Sequence, residues 1–181
     1  NEERVAEELD YLGKKYKTKF FTFSDEAISP TAFDRMSKAI LSQGVEMRAL
    51  GMLKFESDSV ETVGLFENMY RAGFLMLFFG LESANDRILS IIEKGCDQAT
   101  EERVLGNSSL AGIWNHLYLF FGFPTEEKHE AQETIDFTVQ HGELGDGTIH
   151  SIGQSIFSLE KDSAIYHNPT KFQIDKILHD P

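Results

Sequence analysis

The chain has 181 residues and is acidic, with 17 Lys and Arg residues against 30 Asp and Glu residues, a formal net charge of −13. This charge argues against a nucleic-acid-binding protein and against an anionic membrane surface as a partner, because both require a basic face. The single cysteine, Cys96, excludes a disulfide framework and any metal site built from several cysteines of this chain. Apolar residues make up 41% of the sequence, enough to form a core, and we predict one domain over residues 1–181.

Helix and strand patterns alternate along the chain. Apolar spacing, helix-capping residues and glycines set the approximate bounds of each element. In chain order, the predicted elements are a helix over 2–16, a strand over 19–23, a helix from Ser29 to Gly44, a strand over 45–50, a helix over 59–73, a strand over 74–80, a helix over 86–93, a helix from Asp97 to Gly112, a strand over 113–123, a helix over 126–140, a strand over 148–159 and a helix after Pro169.

Three junctions place a glycine between a helix and a strand, at Gly44, Gly73 and Gly112, and each predicts a left-handed helix C-cap. The repeated order of helix, cap and strand indicates crossover connections and therefore a parallel sheet. The strands at 74–80 and 117–123 are apolar throughout, which is typical of strands buried on both faces by helices. We predict an α/β fold with about five parallel strands, either an open doubly wound sheet or part of a (β/α) barrel.

Acidic residues follow two of the predicted strands. Both architectures place the active site at the carboxyl ends of the strands. Asp25 and Glu26 follow the first strand, where Asp25 could either cap the next helix or bind a ligand's amine or hydroxyl groups. Glu82 follows the third strand and is the strongest candidate, because a carboxylate there is costly unless it is exposed or paired. Gly80, on the same face, leaves room for a ligand to approach the backbone.

Three other features favour plainer interpretations. His116 and His150 lie on predicted strands without the spacing of metal ligands, so we expect packed residues rather than a metal site. Cys96 has no evident His partner and is a poor candidate for a nucleophile. We expect the Phe-rich stretches to form the core rather than a platform for stacking.

Several short motifs occur in one order along the chain. They are F-x-F-x-D-E-A-I-S-P at 21–30, A-G-F-L-M-L-F-F-G-L-E-S at 72–83, K-G at 94–95, A-G-I at 111–113 and F-F-G-F-P-T-E at 120–126. Together they resemble the radical S-adenosylmethionine (SAM) superfamily, and most of all the subgroup whose members often carry an N-terminal cobalamin-binding domain. The stretch D-S-A-I-Y-H-N-P at 162–169 resembles that subgroup's final barrel strand and its exit.

This resemblance implies a partial (β/α) barrel in which the first strand of the present chain corresponds to the family's second. The family holds a 4Fe-4S cluster with a CxxxCxxC loop after its first strand, and the cluster reductively cleaves SAM to a 5′-deoxyadenosyl radical. It also implies a cytoplasmic enzyme with a small-molecule or peptide substrate and an electron donor such as ferredoxin or flavodoxin. No CxxxCxxC occurs in this sequence. We therefore expect a fragment that cannot bind the cluster by itself and has no catalytic residues of its own.

The resemblance also assigns SAM contacts to individual residues. Asp25 and Glu26 correspond to the motif that contacts the methionine amino group, and Glu82, with Ser83 beside it, to the position that contacts ribose. Lys94, twelve residues after Glu82, corresponds to a basic residue that contacts the carboxylate or ribose. Gly122, Phe123 and Pro124 correspond to a segment along the adenine.

Two other functions remain open from the residues alone. One is a non-catalytic α/β domain that binds a ligand or a protein, and the other is an ordinary barrel enzyme that uses Asp25 and Glu82 as an acid–base pair. Without the family's first strand, residues 19–23 would form an unpaired sheet edge. We therefore expect self-association through that edge.

Overall fold

The computed structural model describes residues 2–25, 28–57, 59 and 64–177. Its centre is one sheet of five parallel strands in the order β1-β2-β3-β4-β5. The strands are β1 Phe20–Thr22, β2 Arg48–Met52, β3 Phe74–Glu82, β4 Trp114–Phe121 and β5 Ser151–Ile156. A doubly wound sheet would reverse direction in the middle of this order. The strictly sequential order instead confirms the predicted partial barrel, a half-barrel with helices on its outer, convex face.

Helices connect the strands, and most of them agree with the prediction. They are α1 Glu2–Tyr16, α2 Pro30–Ser42, α3 Leu65–Ala72, α4 Asp86–Ile91, α5 Gln98–Leu110, α6 Lys128–His141 and α7 Ala164–His167, followed by a 3-10 turn at Pro169–Phe172. Part of the helix predicted over 59–73 lies outside the described residues. The helix predicted after Pro169 is only the 3-10 turn.

The stretch at 162–169 differs from the expectation. The resemblance suggested a final barrel strand there, but residues Ala164–His167 form the short helix α7. Ser163 starts this helix, because its hydroxyl oxygen accepts a hydrogen bond from the Tyr166 backbone N–H over 3.1 Å. The expectation of a strand at this position is therefore wrong.

Caps at the helix ends follow the sequence signals. Gly44, Gly73 and Gly112 all have left-handed backbones, with φ of 66°, 114° and 91°. At Gly73 a side chain is impossible without movement, because a Cβ atom would lie 2.2 Å from the Met47 carbonyl oxygen. Asp97 caps α5 by accepting from the Thr100 N–H over 2.8 Å. The predicted caps are confirmed. The strands β3 and β4 begin within two residues of Gly73 and Gly112, whereas β2 begins at Arg48 and not at residue 45 as predicted.

The two faces of the sheet are not equally covered. On β3 the residues that point toward the helices, Leu77, Phe79 and Leu81, are completely buried. On the inner, concave face of β4, Tyr118 is 45% exposed, whereas its neighbour Leu117 is fully buried. The expectation that these strands are buried on both faces is therefore wrong. The helices cover the convex face only, because every crossover lies on the outside of a half-barrel.

The strand β1 is short and lies at one edge of the sheet. It pairs with β2 alone among the described strands, and Phe20 is 76% exposed. The predicted edge is therefore present, and its self-association stays a prediction. No helix in the described part of the chain is long and apolar enough to cross a membrane.

Candidate functional site

A pocket of about 610 Å³ opens at the carboxyl ends of the strands. Its walls come from the segments that follow β2, α4 and β5, from the ends of β3 and β4, and from α7. The residues that matter for its chemistry are Phe55, Glu82, Lys94, Phe120, Phe157 and Ile165. The volume lies within the range of small-molecule sites, roughly 300–1,000 Å³. The sheet therefore places a ligand-sized space where the strand-end rule expects one.

Glu82 enters this pocket through an irregularity at the end of β3. The pairing of β3 with β4 shifts between Gly80 and Glu82, and Glu82 has a left-handed backbone with φ of 63°. This conformation is uncommon and costly for a residue with a side chain, on the order of 1 kcal/mol. Glu93, also on the pocket wall, has φ of 55°. Backbone strain of this kind is concentrated at functional sites in many proteins.

Glu82 is paired with Lys94. The Lys94 Nζ atom lies 3.2 Å from Glu82 Oε1, and the two side chains are 20% and 31% exposed respectively. Gly80 makes this arrangement possible: a Cβ atom there would lie 2.5 Å from Glu82 Oε1 and 3.0 Å from Lys94 Nζ. The ion pair therefore occupies the space that a side chain at position 80 would fill. The pocket offers a carboxylate and an ammonium group side by side, both reachable from solvent.

The other walls of the pocket are aromatic. Phe55 is 2% exposed and stacks on Phe79, with ring centroids 4.8 Å apart. Phe120 and Phe157 also line the pocket, and they contact each other and the buried Phe123 at centroid distances of 5.0 to 6.4 Å. A flat apolar group could therefore lie between these walls while polar groups reach the ion pair.

The structure brings Glu82 and Lys94 together and places two other predicted residues elsewhere. Asp25 is exposed beyond β1 and is not one of the residues that line the pocket. Glu26 lies outside the described residues. Ser83 is completely buried, with its hydroxyl oxygen 3.2 Å from Thr134 Oγ1 on α6. Glu82 faces the pocket and Ser83 the helix layer, at the irregularity of Glu82 that ends β3.

The predicted segment 122–124 lies behind the pocket wall. Gly122 has φ of 80°, and its N–H donates to Glu126 Oε2 over 2.6 Å. Phe123 is buried against Phe120 and Phe157, while Pro124 is exposed. Phe123 thus supports two residues that line the pocket, without lining it itself.

Sequence reasoning missed the residues that follow β2. Lys54 and Glu56 line the pocket, and the rule that selected Glu82 would have selected them as well. The predicted strand ended at Leu50, whereas β2 continues to Met52. A boundary error of two residues therefore concealed one more carboxylate and a second ammonium group at the site.

A buried acid lies close to Lys94. Glu101 on α5 is completely buried, and its Oε2 atom has no hydrogen-bond partner among the residues that the structure describes. Burial raises the pKa of this carboxyl to about 9, although the charge of Lys94 opposes the shift. The Cys96 thiol lies 3.8 Å from Glu101 Oε1, and burial raises its pKa to about 12. At neutral pH both groups are protonated, so Cys96 is not a reactive thiolate.

The two histidines belong to the sheet. His116 Nδ1 lies 2.7 Å from the Ser151 hydroxyl oxygen, and burial lowers the pKa of the imidazole. His150 accepts from the Asn115 N–H over 3.2 Å and stacks on Trp114. Within residues 2–25, 28–57, 59 and 64–177, no group of three His, Cys, Asp or Glu side chains could hold a metal ion.

Comparison with known proteins supports the fold. No protein-family model matches the chain. An uncharacterized methyltransferase of Pyrococcus horikoshii is 28% identical over 137 residues, which is 75% of this chain and 29% of that protein.

Two solved structures share the architecture. The radical SAM methyltransferase TsrM of Kitasatospora setae, with tryptophan substrate and a SAM analogue bound, matches with a TM-score of 0.68 and 16% identity, over 86% of this chain and 30% of that one. The cobalamin-dependent radical SAM enzyme OxsB, with aqua-cobalamin and SAM bound, matches with a TM-score of 0.68 and 14% identity, over 96% of this chain and 25% of that one.

The chain thus spans less than a third of each of these three proteins. The fold of this chain matches those of TsrM and OxsB across most of the length of this chain. The resemblance predicted from its motifs is confirmed at the level of the fold: this chain has the partial (β/α) barrel of the radical SAM enzymes.

Proposed function

We propose that the pocket at the carboxyl ends of the strands binds SAM, and that the chain is the SAM-binding part of a radical SAM enzyme. The observation that carries the proposal is the Glu82–Lys94 pair, which lies on Gly80 beside aromatic walls. SAM has two ribose hydroxyls that can donate, a carboxylate that can accept and a flat adenine. Each of these groups has a complementary partner in the pocket.

The two members of the ion pair would bind different polar groups of SAM. The ribose hydroxyls would donate to Glu82, and the SAM carboxylate or ribose would accept from Lys94. Charge-assisted hydrogen bonds of this kind contribute about 1.5–3 kcal/mol each. Phe120 and Phe157 offer apolar surface to the adenine, supported by the segment 122–124. Asp25 and Glu26 are proposed for the methionine amino group, on the resemblance alone.

A 4Fe-4S cluster does not fit the residues of this chain. The chain has one cysteine, and the Cys96 thiol is protonated and half-buried beside Glu101. Three thiolates at CxxxCxxC spacing would have to come from outside the 181 residues. We propose that they belong to a segment preceding Asn1 in a longer protein. Support comes from the three longer proteins of which this chain matches less than a third.

The remaining parts of the proposal concern that longer protein. It would be a cytoplasmic enzyme that cleaves SAM reductively, with a ferredoxin or flavodoxin as electron donor and a small molecule or peptide as substrate. A cobalamin-binding domain is proposed because TsrM and OxsB are both described with cobalamin. The sequence before Asn1 tests these points, since a non-catalytic binding domain would lack the cysteine motif there.

The acid–base alternative has less support. It requires Asp25 and Glu82 to face one substrate, but Asp25 is not among the residues that line the pocket. Glu82 is also engaged with a cation, which suits ligand binding better than proton transfer between two carboxyl groups.

Isothermal titration calorimetry with SAM tests the proposal. Glu82→Gln removes the negative charge but preserves the shape of the side chain. We expect it to weaken SAM binding about tenfold to a hundredfold, since ~1.4 kcal/mol corresponds to a factor of ten. The matched control is Glu67→Gln, an exposed glutamate on α3 outside the pocket, which should leave the affinity unchanged. Equal affinity of the Glu82→Gln variant and the wild type would overturn the assignment of Glu82.

A further inference from the structure

The concave face of the half-barrel carries a row of rings. Four aromatic or imidazole side chains occupy every second position of β4, at Trp114, His116, Tyr118 and Phe120. Phe78 joins them from β3, because its backbone is paired with His116. These rings alternate with Asn115, Leu117 and Leu119, which are buried beneath the helices. The concave face is therefore lined by aromatic groups that the convex core does not use.

Three of these rings form a fixed cluster, which we call the aromatic shelf: Phe78, His116 and Tyr118. The His116 ring is tilted by 68° to both neighbours, at centroid distances of 5.2 Å from Phe78 and 4.7 Å from Tyr118. Phe78 and Tyr118 lie 6.0 Å apart with their planes 20° from parallel. Tyr118 is 45% exposed, so one side of the shelf is open.

The shelf contains one hydrogen-bonding group at its centre. The Ser151 hydroxyl oxygen lies 2.7 Å from Nδ1 of His116, and this hydrogen bond fixes the orientation of the ring. The described residues offer the other nitrogen, Nε2, no hydrogen bond. Gly153 of β5 keeps this nitrogen uncovered, because a Cβ atom there would lie 3.3 Å from Nε2 and 3.0 Å from Tyr118 Cδ1. An uncharged polar atom is thus held among apolar rings.

The shelf adjoins the candidate SAM pocket. Tyr118 is paired with Gly80, on which the Glu82–Lys94 pair lies, and Phe120 at the end of the row lines the pocket itself. A molecule on Tyr118 would therefore be next to a ligand held by Glu82. Burial lowers the pKa of His116, so the shelf is uncharged at neutral pH.

We propose that the aromatic shelf is the substrate subsite, and that it takes a planar heteroaromatic ring whose edge hydrogen-bonds Nε2 of His116. The proposal rests on the proposed function, which places SAM beside the shelf. A flat ring would cover the exposed side of Tyr118, and its polar edge would satisfy the nitrogen that the protein leaves unpaired. A charged group would find no counterion there, and an aliphatic group would leave Nε2 without a partner.

Binding of indole, followed by NMR signals of the His116 and Tyr118 rings, tests the proposal. We expect a dissociation constant of about 1 mM for a ligand of this size. Tyr118→Ala should weaken binding at least about fivefold, and so should His116→Phe, which keeps a ring but removes Nε2. Toluene, which has no polar edge, should bind equally well to the wild type and to His116→Phe. Tyr11→Ala, at an exposed tyrosine on α1, should change nothing.

Two results would overturn the proposal. One is indole binding that neither shelf variant weakens. The other is a lower melting temperature of Tyr118→Ala with unchanged indole binding, as expected if another segment of protein covers the shelf. The SAM titration separates this proposal from the proposed function. Tyr118→Ala should leave SAM affinity unchanged. If the shelf variants bind indole as the wild type does while Glu82→Gln still weakens SAM binding, only the subsite proposal is rejected. If Glu82→Gln binds SAM as the wild type does while the shelf variants still weaken indole binding, only the SAM site is rejected.

Discussion

The convex and concave faces of the half-barrel differ in burial, and this difference separates neighbouring residues of one strand. Phe78 and Phe79 are neighbours on β3, yet Phe79 is completely buried and stacked on Phe55, whereas Phe78 belongs to the half-open concave face. The convex face is closed by the crossover helices, and its residues form the main core. On the concave face, the C-terminal segment packs near Phe120, whereas Tyr118 and Trp114 remain half-exposed. One strand therefore contributes stability through one side and a candidate binding surface through the other.

The largest expected effect tests this contrast directly. Phe79→Ala should lower the free energy of unfolding by about 3–5 kcal/mol, because it leaves a cavity in the closed core. Phe78→Ala removes the same side chain from the half-open face and should cost about 1 kcal/mol. Urea denaturation of the two variants measures both values. Equal losses would show that the concave face is as closely packed as the convex one.

The second prediction concerns how stability depends on pH through Glu130, a buried carboxylate in the helix layer. Glu130 on α6 is 3% exposed and paired with Arg87, and the guanidinium lowers the pKa of this carboxyl to about 2. A carboxyl whose pKa is depressed on folding stabilises the protein above its ordinary pKa. That stabilisation is lost as the pH falls from about 4.5 to about 2.

Removing Arg87 should weaken this pH dependence, because the guanidinium is the largest cause of the lowered pKa of Glu130. Arg87→Met should destabilise the protein by about 2–3 kcal/mol at pH 7, below the range for a fully enclosed pair because Arg87 is 42% exposed. The difference between variant and wild type should shrink toward pH 2. Urea denaturation at pH 7, 4 and 2.5 measures it. A difference that is constant with pH would mean that Arg87 acts by packing alone.

The smallest expected effect is a gain in the stability of the folded protein, when Glu101 is replaced. Glu101 has a pKa raised to about 9, so the folded state keeps a proton that the unfolded chain releases above about pH 4.5. Stability should therefore fall as the pH rises between these values. Glu101→Gln removes this dependence, so it should be as stable as the wild type at pH 4.5 and more stable than the wild type at pH 8.

The adjacent glutamate provides the control for Glu101. Glu102 is 56% exposed, and Glu102→Gln should change stability by less than about 0.5 kcal/mol at either pH. Thermal unfolding at the two pH values compares all three proteins. If Glu101→Gln lowers the stability at pH 8, the carboxyl makes a contact that outweighs its burial.

Local chemistry explains why the fold could be predicted. The glycines at 44, 73 and 112 and the caps at Ser29 and Asp97 act within a few residues, and all of them lie where the sequence placed them. The coverage of the concave face could not be predicted in the same way. An apolar strand can be buried by helices on two sides or by helices on one side and by its own rings on the other. Only the curvature of the sheet decides between these cases.

The candidate site was predicted less completely. Glu82 and Lys94 meet as the resemblance implied, but Ser83 turns toward Thr134 because the bulge at Glu82 ends the strand. Lys54 was missed through an error in a strand boundary. The buried position of Glu101 could not be predicted either, because α5 has no clear apolar face that would show which side is buried.

The left-handed backbone of Glu82 has a consequence for evolution. Val, Ile and Thr strongly disfavour a φ near 63°, whereas Gly, Asn and Asp adopt it readily and a straight-chain acid tolerates it. Natural variation at this position should therefore be confined to a few amino acids, even in relatives that bind a different ligand. A change of ligand would have to arise through the neighbouring loops, such as residues 53–57, none of which has a left-handed backbone.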